Sequence, residues 1–262
     1  MADPADYLRQ LFGLEGEVAL ITGGGGAVGG ATARAYARAG AAVVLADKAL
    51  EPAQRMADEI LSGGGQALAL MMDVTDEESV LAGVATAERA LGKVDILVNN
   101  AGINVRKAPE HLTLADWTSV IGVNLTGYFL CARAVGTGML ARRSGRIINV
   151  ASIMGYRGSP ISANLAYCTS KGGVVNFTRT LAGEWAPHGI RVNGIAPTYL
   201  RTPLTERLLS DPEISGKIAA RTPMGKVGVP EDLEGAMLFL ASAASSLVTG
   251  HTIAVDAGWL AW

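Results

Sequence analysis

A tyrosine and a lysine four residues apart are the side chains of this sequence with the clearest chemical potential. Tyr167 and Lys171 lie in Leu165–Trp185, a stretch of small and apolar residues that predicts a long helix. A spacing of four places both side chains on one helix face. An unperturbed tyrosine has a pKa of about 10, too high for a base at neutral pH, but a neighbouring ammonium favours the phenolate. The pair therefore predicts a general acid/base with an activating lysine.

A serine stands where this pair would need a partner for a reacting carbonyl group. Ser152 follows the β-branched run RIINVA, and open α/β sheets place their sites at the carboxyl ends of strands. A hydroxyl there can donate to the carbonyl oxygen and stabilise developing charge.

A glycine-rich turn near the N-terminus predicts a phosphate site. The strand VALIT leads into GGGGAVGG and then into a predicted helix over 30–39. Exposed amides and the helix dipole attract a phosphate, and missing side chains let it approach. Two registers fit the turn: G-x-G-x-x-G through Gly24, Gly26 and Gly29, or T-G-x-x-x-[A/G]-x-G starting at Thr22 and Gly23. The pattern alone does not choose between them.

An acidic residue after the second predicted strand bears on the choice of cofactor. Asp47 lies at the distance beyond the glycines where a carboxylate accepts hydrogen bonds from an adenosine ribose. A carboxylate there repels a 2′-phosphate, so the sequence favours NAD over NADP. Lys48 is a competing signal, because a neighbouring cation can accommodate the extra phosphate. The alternative interpretation of Asp47 is a residue that caps a turn or helix.

Short β-branched runs alternate with segments of helical periodicity, which is typical of βαβ units. The predicted strands are Val18–Thr22, 42–46, 67–73, Ile96–Asn99, 146–151, 191–196 and 252–256. Their apolar character suits strands buried on both faces, and further helices are predicted over 52–61, where Gly63 would follow as the C-cap, and over 77–90. We therefore predict one α/β domain, a doubly wound Rossmann fold with a seven-stranded parallel sheet and helices on both faces.

Composition argues against several other classes of protein. A formal net charge of −2 gives no reason to expect nucleic acid or an anionic membrane as a partner. Cys131 and Cys168 are too few for a disulfide framework, and the three histidines are scattered, so no metal site is expected. Asp3 and Asp6 precede any apolar run, which argues against a signal peptide, and no run of eighteen apolar residues suggests a membrane span. We expect a cytoplasmic protein.

Along nearly its whole length the sequence resembles the short-chain dehydrogenase/reductase family. The matching features, in chain order, are TGGGGAVG, MMDVTD, NNAG, VNLTG, Ser152, the Tyr167/Lys171 pair, and Pro197 followed by Thr202. Three departures are Ala27 within the glycine turn, Thr198, which replaces the glycine that commonly follows Pro197, and a gap between Ser152 and Tyr167 that is slightly longer than usual. If the usual spacing were strict, Met154 would occupy the serine position. Ser152 is preferred because it comes at the end of the predicted strand and precedes Gly155. The resemblance implies an enzyme that moves a hydride between a nicotinamide cofactor and a secondary alcohol or ketone. It also implies a homotetramer.

The resemblance implies a role for each matching residue. Tyr167 would be the acid/base, Lys171 would lower its pKa and bind the nicotinamide ribose, and Ser152 would orient the substrate oxygen. Asn124 would hold a water that relays the proton from Lys171 to solvent. Besides Tyr167 and Lys171, the expected cofactor contacts are Gly23, Gly26, Val28, Gly29, Asp47, Asp73, Val74, Asn100, Ala101, Gly102, Pro197 and Thr202. Among these, Asp73 and Val74 would contact adenine.

The substrate is the least determined part of the prediction. The segments NNAGINVRKAPEHLT and VDAGWLAW are similar to those of sugar-acid and polyol dehydrogenases of the family, such as gluconate 5-dehydrogenases. Candidate substrate contacts are Arg106, Ser152, Met154, Arg157 and Tyr199. An arginine suits bidentate pairing with a carboxylate. We predict NAD-dependent chemistry on a sugar acid or polyol, with the cofactor mainly on 15–110, catalysis and substrate on 111–262, and a lid over 202–226.

Two alternatives stay open at this point. A 3-oxoacyl thioester reductase is one, although Asp47 disfavours it because biosynthetic reductions generally draw on NADPH. A catalytically silent NAD-sensing scaffold on the same fold is the other, and the presence of Asn124, Ser152, Tyr167 and Lys171 together disfavours it. Trp259 and Trp262 near the C-terminus are expected to pack between subunits rather than to cap a pocket.

Overall fold

The strands of this computed structural model, which describes residues 3–261, form a single parallel sheet. They are β1 Val18–Thr22, β2 Ala42–Asp47, β3 Gln66–Met71, β4 Ile96–Asn99, β5 Gly145–Val150, β6 Ile190–Pro197 and β7 Thr252–Val255. Their order is β3-β2-β1-β4-β5-β6-β7, so the winding reverses between β1 and β4. The predicted doubly wound fold is confirmed. Ligands of such sheets bind at this switch point, outside the carboxyl ends of the strands.

Helices cover both faces of the sheet. They are α1 Pro4–Phe12, α2 Ala27–Arg38, α3 Leu50–Ser62, α4 Glu77–Leu91, α5 Leu114–Ile121, α6 Gly127–Arg142, α7 Leu165–Trp185, α8 Pro203–Leu209, α9 Pro212–Arg221 and α10 Glu234–Ala241. One core cluster joins α2, α3 and α10 to the sheet, and a second joins α4, α6 and α7 to the opposite face. Every residue of β1 is buried as a result.

The prediction that all strands are buried on both faces is wrong for the two edge strands, β3 and β7. In each of them a single residue is buried, and Met71 of β3 is 69% exposed. The cause is their position at the edges of the sheet, where β3 pairs with β2 alone and β7 with β6 alone. Periodicity along a strand does not reveal which strand becomes an edge.

Helix α2 begins three residues earlier than the predicted 30–39. Glycine is a poor helix former, so the sequence places Gly29 in the turn and begins the helix at Gly30. In the structure a Cβ on Gly29 would lie 2.3 Å from the Gly23 carbonyl oxygen, and one on Gly30 would lie 2.5 Å from Met56 Cε. The backbone contact at Gly29 therefore requires glycine inside the helix, whereas Met56 Cε near Gly30 is the end of a flexible side chain that can move. The predicted C-cap of α3 at Gly63 is confirmed.

The helical stretch Leu114–Arg142 is long and apolar enough to cross a membrane, by length and composition. It spans α5, α6 and the turn between them, and half of its most apolar window is buried inside the protein. The α6 part packs against α4 and β4 as a core helix. A core helix passes the same test, so the stretch is weak evidence for a membrane span.

Candidate active site

The turn after β1 is tied to the end of β4 by a small hydrogen-bond network. Thr22 Oγ1 accepts from the amides of Asn100 at 2.9 Å and Ala101 at 3.1 Å. Asn100 Nδ2 donates to the carbonyl oxygens of Thr22 at 2.9 Å and Gly23 at 3.1 Å. Gly23 adopts a φ of 63°, which favours glycine, and a Cβ there would lie 3.0 Å from Ala101 Cα. The two neighbouring strands at the switch point are thereby held together.

This network decides between the two registers of the glycine turn. Thr22 and Gly23 take part in it, as the register that starts at Thr22 requires. Gly24 packs away from the cavity, where a Cβ would lie 2.8 Å from the Leu45 backbone. Gly29 does not line the cavity but packs against the Gly23 carbonyl oxygen of the turn. The sequence of the turn therefore fits the G-x-G-x-x-G pattern, but its glycines do not occupy the structural positions that this register requires.

A cavity of about 420 Å³ opens beside the turn. It is lined by most of the predicted cofactor contacts, namely Gly23, Gly26, Val28, Asp47, Asp73, Val74, Asn100, Ala101, Gly102 and Thr202. Helix α2 begins at this cavity with Gly26 as its N-cap, and no side chain caps its first amides. An uncapped helix N-terminus at a glycine turn suits a phosphate. The residues present therefore fit a dinucleotide.

Charged side chains meet at the far end of this cavity. Asp47 accepts from the amides of Gly25 at 3.1 Å and Ala49 at 3.2 Å, so it also stabilises the local turns. The Lys48 ammonium lies 2.7 Å from Asp73 Oδ2. Lys48 first, and the Thr75 hydroxyl second, hold the pKa of Asp73 at about 2. Lys48 is thus paired with a carboxylate in this arrangement.

Tyr167, Lys171 and Ser152 meet in a second cavity of about 140 Å³, next to the first. Pro197 and Thr202 also line it. Lys171 Nζ lies 5.7 Å from the centroid of the Tyr167 ring, one helical turn away. The Ser152 hydroxyl is within hydrogen-bonding reach of Tyr167 and lowers its pKa. The structure therefore brings the predicted trio together, with the Ser152 hydroxyl near the phenol, while Met154 packs in the apolar cluster beside the tyrosine.

Burial dominates the electrostatics of this trio. It raises the pKa of Tyr167, and the Ser152 hydroxyl and the Arg106 charge offset that rise only in part. Burial also lowers the pKa of Lys171 to about 7. The Lys171 ammonium donates to the Val150 carbonyl at 2.6 Å and to the hydroxyl oxygen of a second tyrosine, Tyr128, at 3.3 Å. A strongly acidic Tyr167 would need further positive charge in the cavity.

Asn124 lies in a π-helical turn, Gly122–Thr126, that sequence reasoning missed. Its Oδ1 accepts from the Ile103 amide at 2.9 Å, and its Nδ2 donates to the Ile103 carbonyl and to Ser170 Oγ, both at 3.0 Å. Asn124 therefore joins the loop after β4 to the residue that precedes Lys171. Such turns are frequent at functional sites, because they re-aim side chains within a helix. Its role in a water relay stays a prediction.

A third cavity of about 60 Å³ continues from Tyr167 away from the dinucleotide side. Its lining includes four predicted substrate contacts, Arg106, Ser152, Met154 and Tyr199. Arg157 is exposed and is not among the residues that line the three cavities. The structure therefore does not bring Arg157 to the site. It lies on the loop between Ser152 and Tyr167, whose path the sequence pattern does not determine.

Three polar atoms in the wall of this third cavity are buried and make no hydrogen bond to any residue of 3–261: Asn104 Oδ1, Thr198 Oγ1 and Tyr199 Oη. Each such atom costs roughly 1–3 kcal/mol if it stays unsatisfied. Burial raises the pKa of Tyr199, and the Ser159 hydroxyl, which is close enough to act on this phenol, offsets the rise only in part, so Tyr199 remains a neutral phenol. Sequence reasoning missed Asn104 and treated Thr198 only as a departure from a motif. Neither residue type carries a signal of its own.

Known proteins resemble this chain over nearly its whole length. A family model described as enoyl-(acyl carrier protein) reductase matches residues 25–260. Galactitol 2-dehydrogenase of Rhizobium johnstonii is 42% identical over 97% of this chain and 99% of its own. Gluconate 5-dehydrogenase of Gluconobacter oxydans is 39% identical over 95% and 96%. The solved gluconate 5-dehydrogenase of Burkholderia cenocepacia, in complex with NADP and tartrate, has a TM-score of 0.93 at 38% identity over 97% and 99%.

The chain belongs to the short-chain dehydrogenase/reductase family. It is therefore an oxidoreductase that acts on CH–OH groups and uses a nicotinamide nucleotide. Within residues 3–261, no group of three or more histidine, cysteine or acidic side chains is arranged to hold a metal ion.

One expectation about this short-chain dehydrogenase/reductase needs correction. Trp259 was predicted to pack between subunits, but it is 1% exposed within one chain. Its ring centroid lies 5.4 Å from that of Tyr199, and the Arg221 guanidinium lies over its ring. Trp259 therefore supports the wall of the third cavity from behind. Trp262 lies outside the described residues, and Cys168 packs in the same apolar cluster as Trp259.

Proposed function

We propose that this enzyme transfers a hydride between NAD and a secondary alcohol of a sugar acid or polyol. The three unpartnered polar atoms of the third cavity carry this proposal. The hydroxyl groups of such a substrate can donate to Asn104 and exchange hydrogen bonds with Thr198 and Tyr199. The acyl chain of a thioester would leave all three atoms buried and unpaired, so the same wall disfavours a 3-oxoacyl substrate.

Arg106 supports a substrate with a carboxylate. Arg106 lines the third cavity, and the hydrogen bonds that its guanidinium makes within residues 3–261 are long contacts of 3.4 and 3.5 Å to the Leu204 carbonyl. Donors held this loosely can turn to a carboxylate and bind it with two parallel hydrogen bonds. The printed activities of the two dehydrogenase relatives favour the same substrate classes.

The proposed reaction gives each residue of the trio one task. Bound NAD would supply the acceptor for the hydride of the carbinol carbon. The Tyr167 phenolate takes the hydroxyl proton, while the Ser152 hydroxyl holds the oxygen from which it leaves. The Lys171 ammonium binds the nicotinamide ribose and, together with the positive nicotinamide, stabilises the phenolate. Asn124 orders the path by which the proton reaches solvent.

Asp47 supports NAD over NADP. Its carboxylate lines the far end of the first cavity, where it would accept from both ribose hydroxyls and repel a 2′-phosphate. Lys48, a cation that lines the same cavity, is already paired with Asp73 at 2.7 Å. The Burkholderia cenocepacia enzyme is described with NADP, so the comparison favours testing both cofactors.

We extend the proposal to the organisation and assembly of the chain. One domain carries the cofactor mainly on 15–110 and the substrate on 111–262, and 202–226 closes as a lid. Support for the lid comes from Thr202 and Leu204, which line both of the first two cavities. Exposed apolar side chains on α5, α6 and α7, among them Leu114, Phe129 and Leu165, support a homotetramer. Two free cysteines suit a reducing cytoplasm.

A substrate panel tests the proposal. The purified enzyme is given NAD with sugar acids and polyols, and NADH or NADPH with acetoacetyl thioesters, and absorbance at 340 nm is followed. We expect turnover with at least one hydroxylated compound and a higher kcat/KM with NAD than with NADP. Turnover of thioesters alone would overturn the substrate proposal, and binding of NAD without any turnover would favour the silent scaffold.

A further inference from the structure

Tyr128 is a buried tyrosine that none of the motifs above includes. It lies at the start of α6, four residues beyond Asn124, and is 1% exposed. Its hydroxyl donates to the Val150 carbonyl at 3.1 Å and accepts from Lys171 Nζ at 3.3 Å. Lys171 Nζ also lies 5.3 Å from the centroid of the Tyr128 ring. The phenol therefore contacts the lysine through both its oxygen and its ring.

The direction of these hydrogen bonds is set by the surroundings. Burial raises the pKa of Tyr128 well above its ordinary value, so the hydroxyl keeps its proton. That proton is used on the Val150 carbonyl, which leaves an oxygen lone pair for the lysine. A lone pair accepts from an ammonium with all its protons, so this geometry favours the charged form of Lys171.

The same contacts orient the lysine. The Val150 carbonyl and the Tyr128 hydroxyl use two of the three ammonium N–H groups. The third is left for the side of Gly102, where a Cβ would lie 3.8 Å from Nζ and which also lines the dinucleotide cavity. Without the Tyr128 hydroxyl, the Val150 carbonyl would be the one remaining acceptor of this pair, and the ammonium would no longer be held in one orientation.

We infer that Tyr128 is a positioning residue that holds Lys171 charged and directed at the cofactor side of the site. The inference rests on the proposed catalytic role of Tyr167 and Lys171 and goes beyond it, because Tyr128 touches neither the proposed substrate nor the dinucleotide cavity. Through Tyr128, helix α6 helps to keep the proton on Lys171.

Burial alone accounts for the lowered pKa of Lys171, and the groups that act on the two phenols beside it come from several elements. They are Tyr167 and Cys168 on α7, Cys131 on α6, Tyr199 after β6 and Arg106 after β4. Burial raises the pKa of Cys131 to about 12, so it is neutral at physiological pH. Since no carboxylate is among these described groups, the Tyr128 oxygen and the Val150 carbonyl are the acceptors that matter for Lys171.

The test replaces Tyr128 with Phe, which keeps the ring and removes the oxygen. Tyr36→Phe is the matched control: Tyr36 is 0% exposed, and its hydroxyl donates to the Met237 carbonyl at 3.0 Å, far from the site. Both substitutions delete one buried phenol that donates to a carbonyl, so a general loss of stability would appear in both. Thermal unfolding measures that common effect.

The first readout needs no substrate. The chain has six lysines, so carbon-13 labelling at Cε and assignment with Lys171→Met resolve the titration of Lys171 by NMR. We expect Tyr128→Phe to lower the pKa of Lys171 by about one unit, the loss of one hydrogen bond to a charged group. Tyr36→Phe leaves it unchanged. An unchanged Lys171 titration in Tyr128→Phe overturns the inference, whatever the fate of the proposed substrate.

The second readout is the pH profile of kcat/KM for alcohol oxidation with a substrate from the panel. In the parent enzyme the alkaline limb reports loss of the Lys171 proton. Tyr128→Phe is expected to move that limb to lower pH by about one unit, while Tyr36→Phe keeps the parent profile. A uniform loss of rate at all pH values would assign Tyr128 a purely structural role.

Discussion

The dinucleotide end and the substrate end of this site differ in how their polar groups are satisfied. At the dinucleotide end, Thr22, Asn100, Asp47 and Asp73 all bond to other parts of the chain. At the substrate end, three buried polar atoms have no partner. The dinucleotide end is preorganised by the fold, because its polar side chains are already paired and its ligand would be bound mostly by backbone amides of the glycine turn. The second is completed by its ligand, so it is where relatives on the same fold can diverge.

The junction of the two regions gives the largest expected effect. Tyr167→Phe removes the proposed acid/base, and we expect kcat to fall about 10³-fold or more. The Kd for NADH, measured by fluorescence, should change by less than about threefold, because the dinucleotide end keeps its network. Retained turnover would contradict the mechanism, and a lost cofactor affinity would show that the two regions are not separable in this way.

The buried lysine at the junction links stability to pH. The unfolded chain holds the Lys171 proton up to the ordinary pKa of 10.5, but the folded chain holds it only up to about 7. Burial of the charged ammonium therefore lowers the free energy of unfolding by its full amount below pH 7. This loss becomes smaller as the pH rises toward 10. Lys171→Met should raise the free energy of unfolding by about 3–5 kcal/mol at pH 6 and by little at pH 10. Denaturant unfolding at both pH values measures the difference.

A pair of isosteric substitutions compares the two regions directly. Thr22→Val at the dinucleotide end leaves the amides of Asn100 and Ala101 unpaired. The free energy of unfolding should fall by about 2–5 kcal/mol, and NAD binding should weaken with it. Urea denaturation with and without NAD measures both. A variant as stable as the parent would mean that water replaces the hydroxyl and that this end is less preorganised than its contacts indicate.

Thr198→Val makes the same atomic change at the substrate end, where the hydroxyl has no partner. Stability should be unchanged or slightly higher, because no hydrogen bond is lost. The kcat/KM for a hydroxylated substrate should fall about tenfold, while that for its deoxy analogue stays the same. Equal losses on both compounds would show that Thr198 does not contact a substrate hydroxyl.

Asp47→Asn addresses the selectivity of the dinucleotide end. Removal of the negative charge should lower the ratio of kcat/KM for NAD over NADP about tenfold, because the 2′-phosphate is no longer repelled. Cofactor-dependent rates on one substrate measure the ratio. A preference of the parent enzyme for NADP would mean that Lys48 leaves Asp73 to bind the 2′-phosphate. Asp47 would then act only in stabilising the local turn.

The parts of the fold that could be predicted are those that depend on local pattern. The seven strands were found because apolar β-branched runs alternate with helical periodicity, and Tyr167 with Lys171 because one helical turn separates them. The early start of α2, the edge position of β3 and the π turn at Asn124 were not predicted. Each depends on what packs against the segment, such as the Gly23 carbonyl against Gly29.

The sequence by itself determined the family chemistry of this protein: a glycine turn after a buried strand, an acidic residue after the next, and a Ser, Tyr and Lys at fixed spacings. Only the tertiary structure decided which polar atoms remain without partners and which phenol supports Lys171. Asn104, Thr198 and Tyr199 come from two separate segments, and Tyr128 lies 43 residues from Lys171. Burial and pairing are properties of three-dimensional neighbours, so no spacing along the chain encodes them.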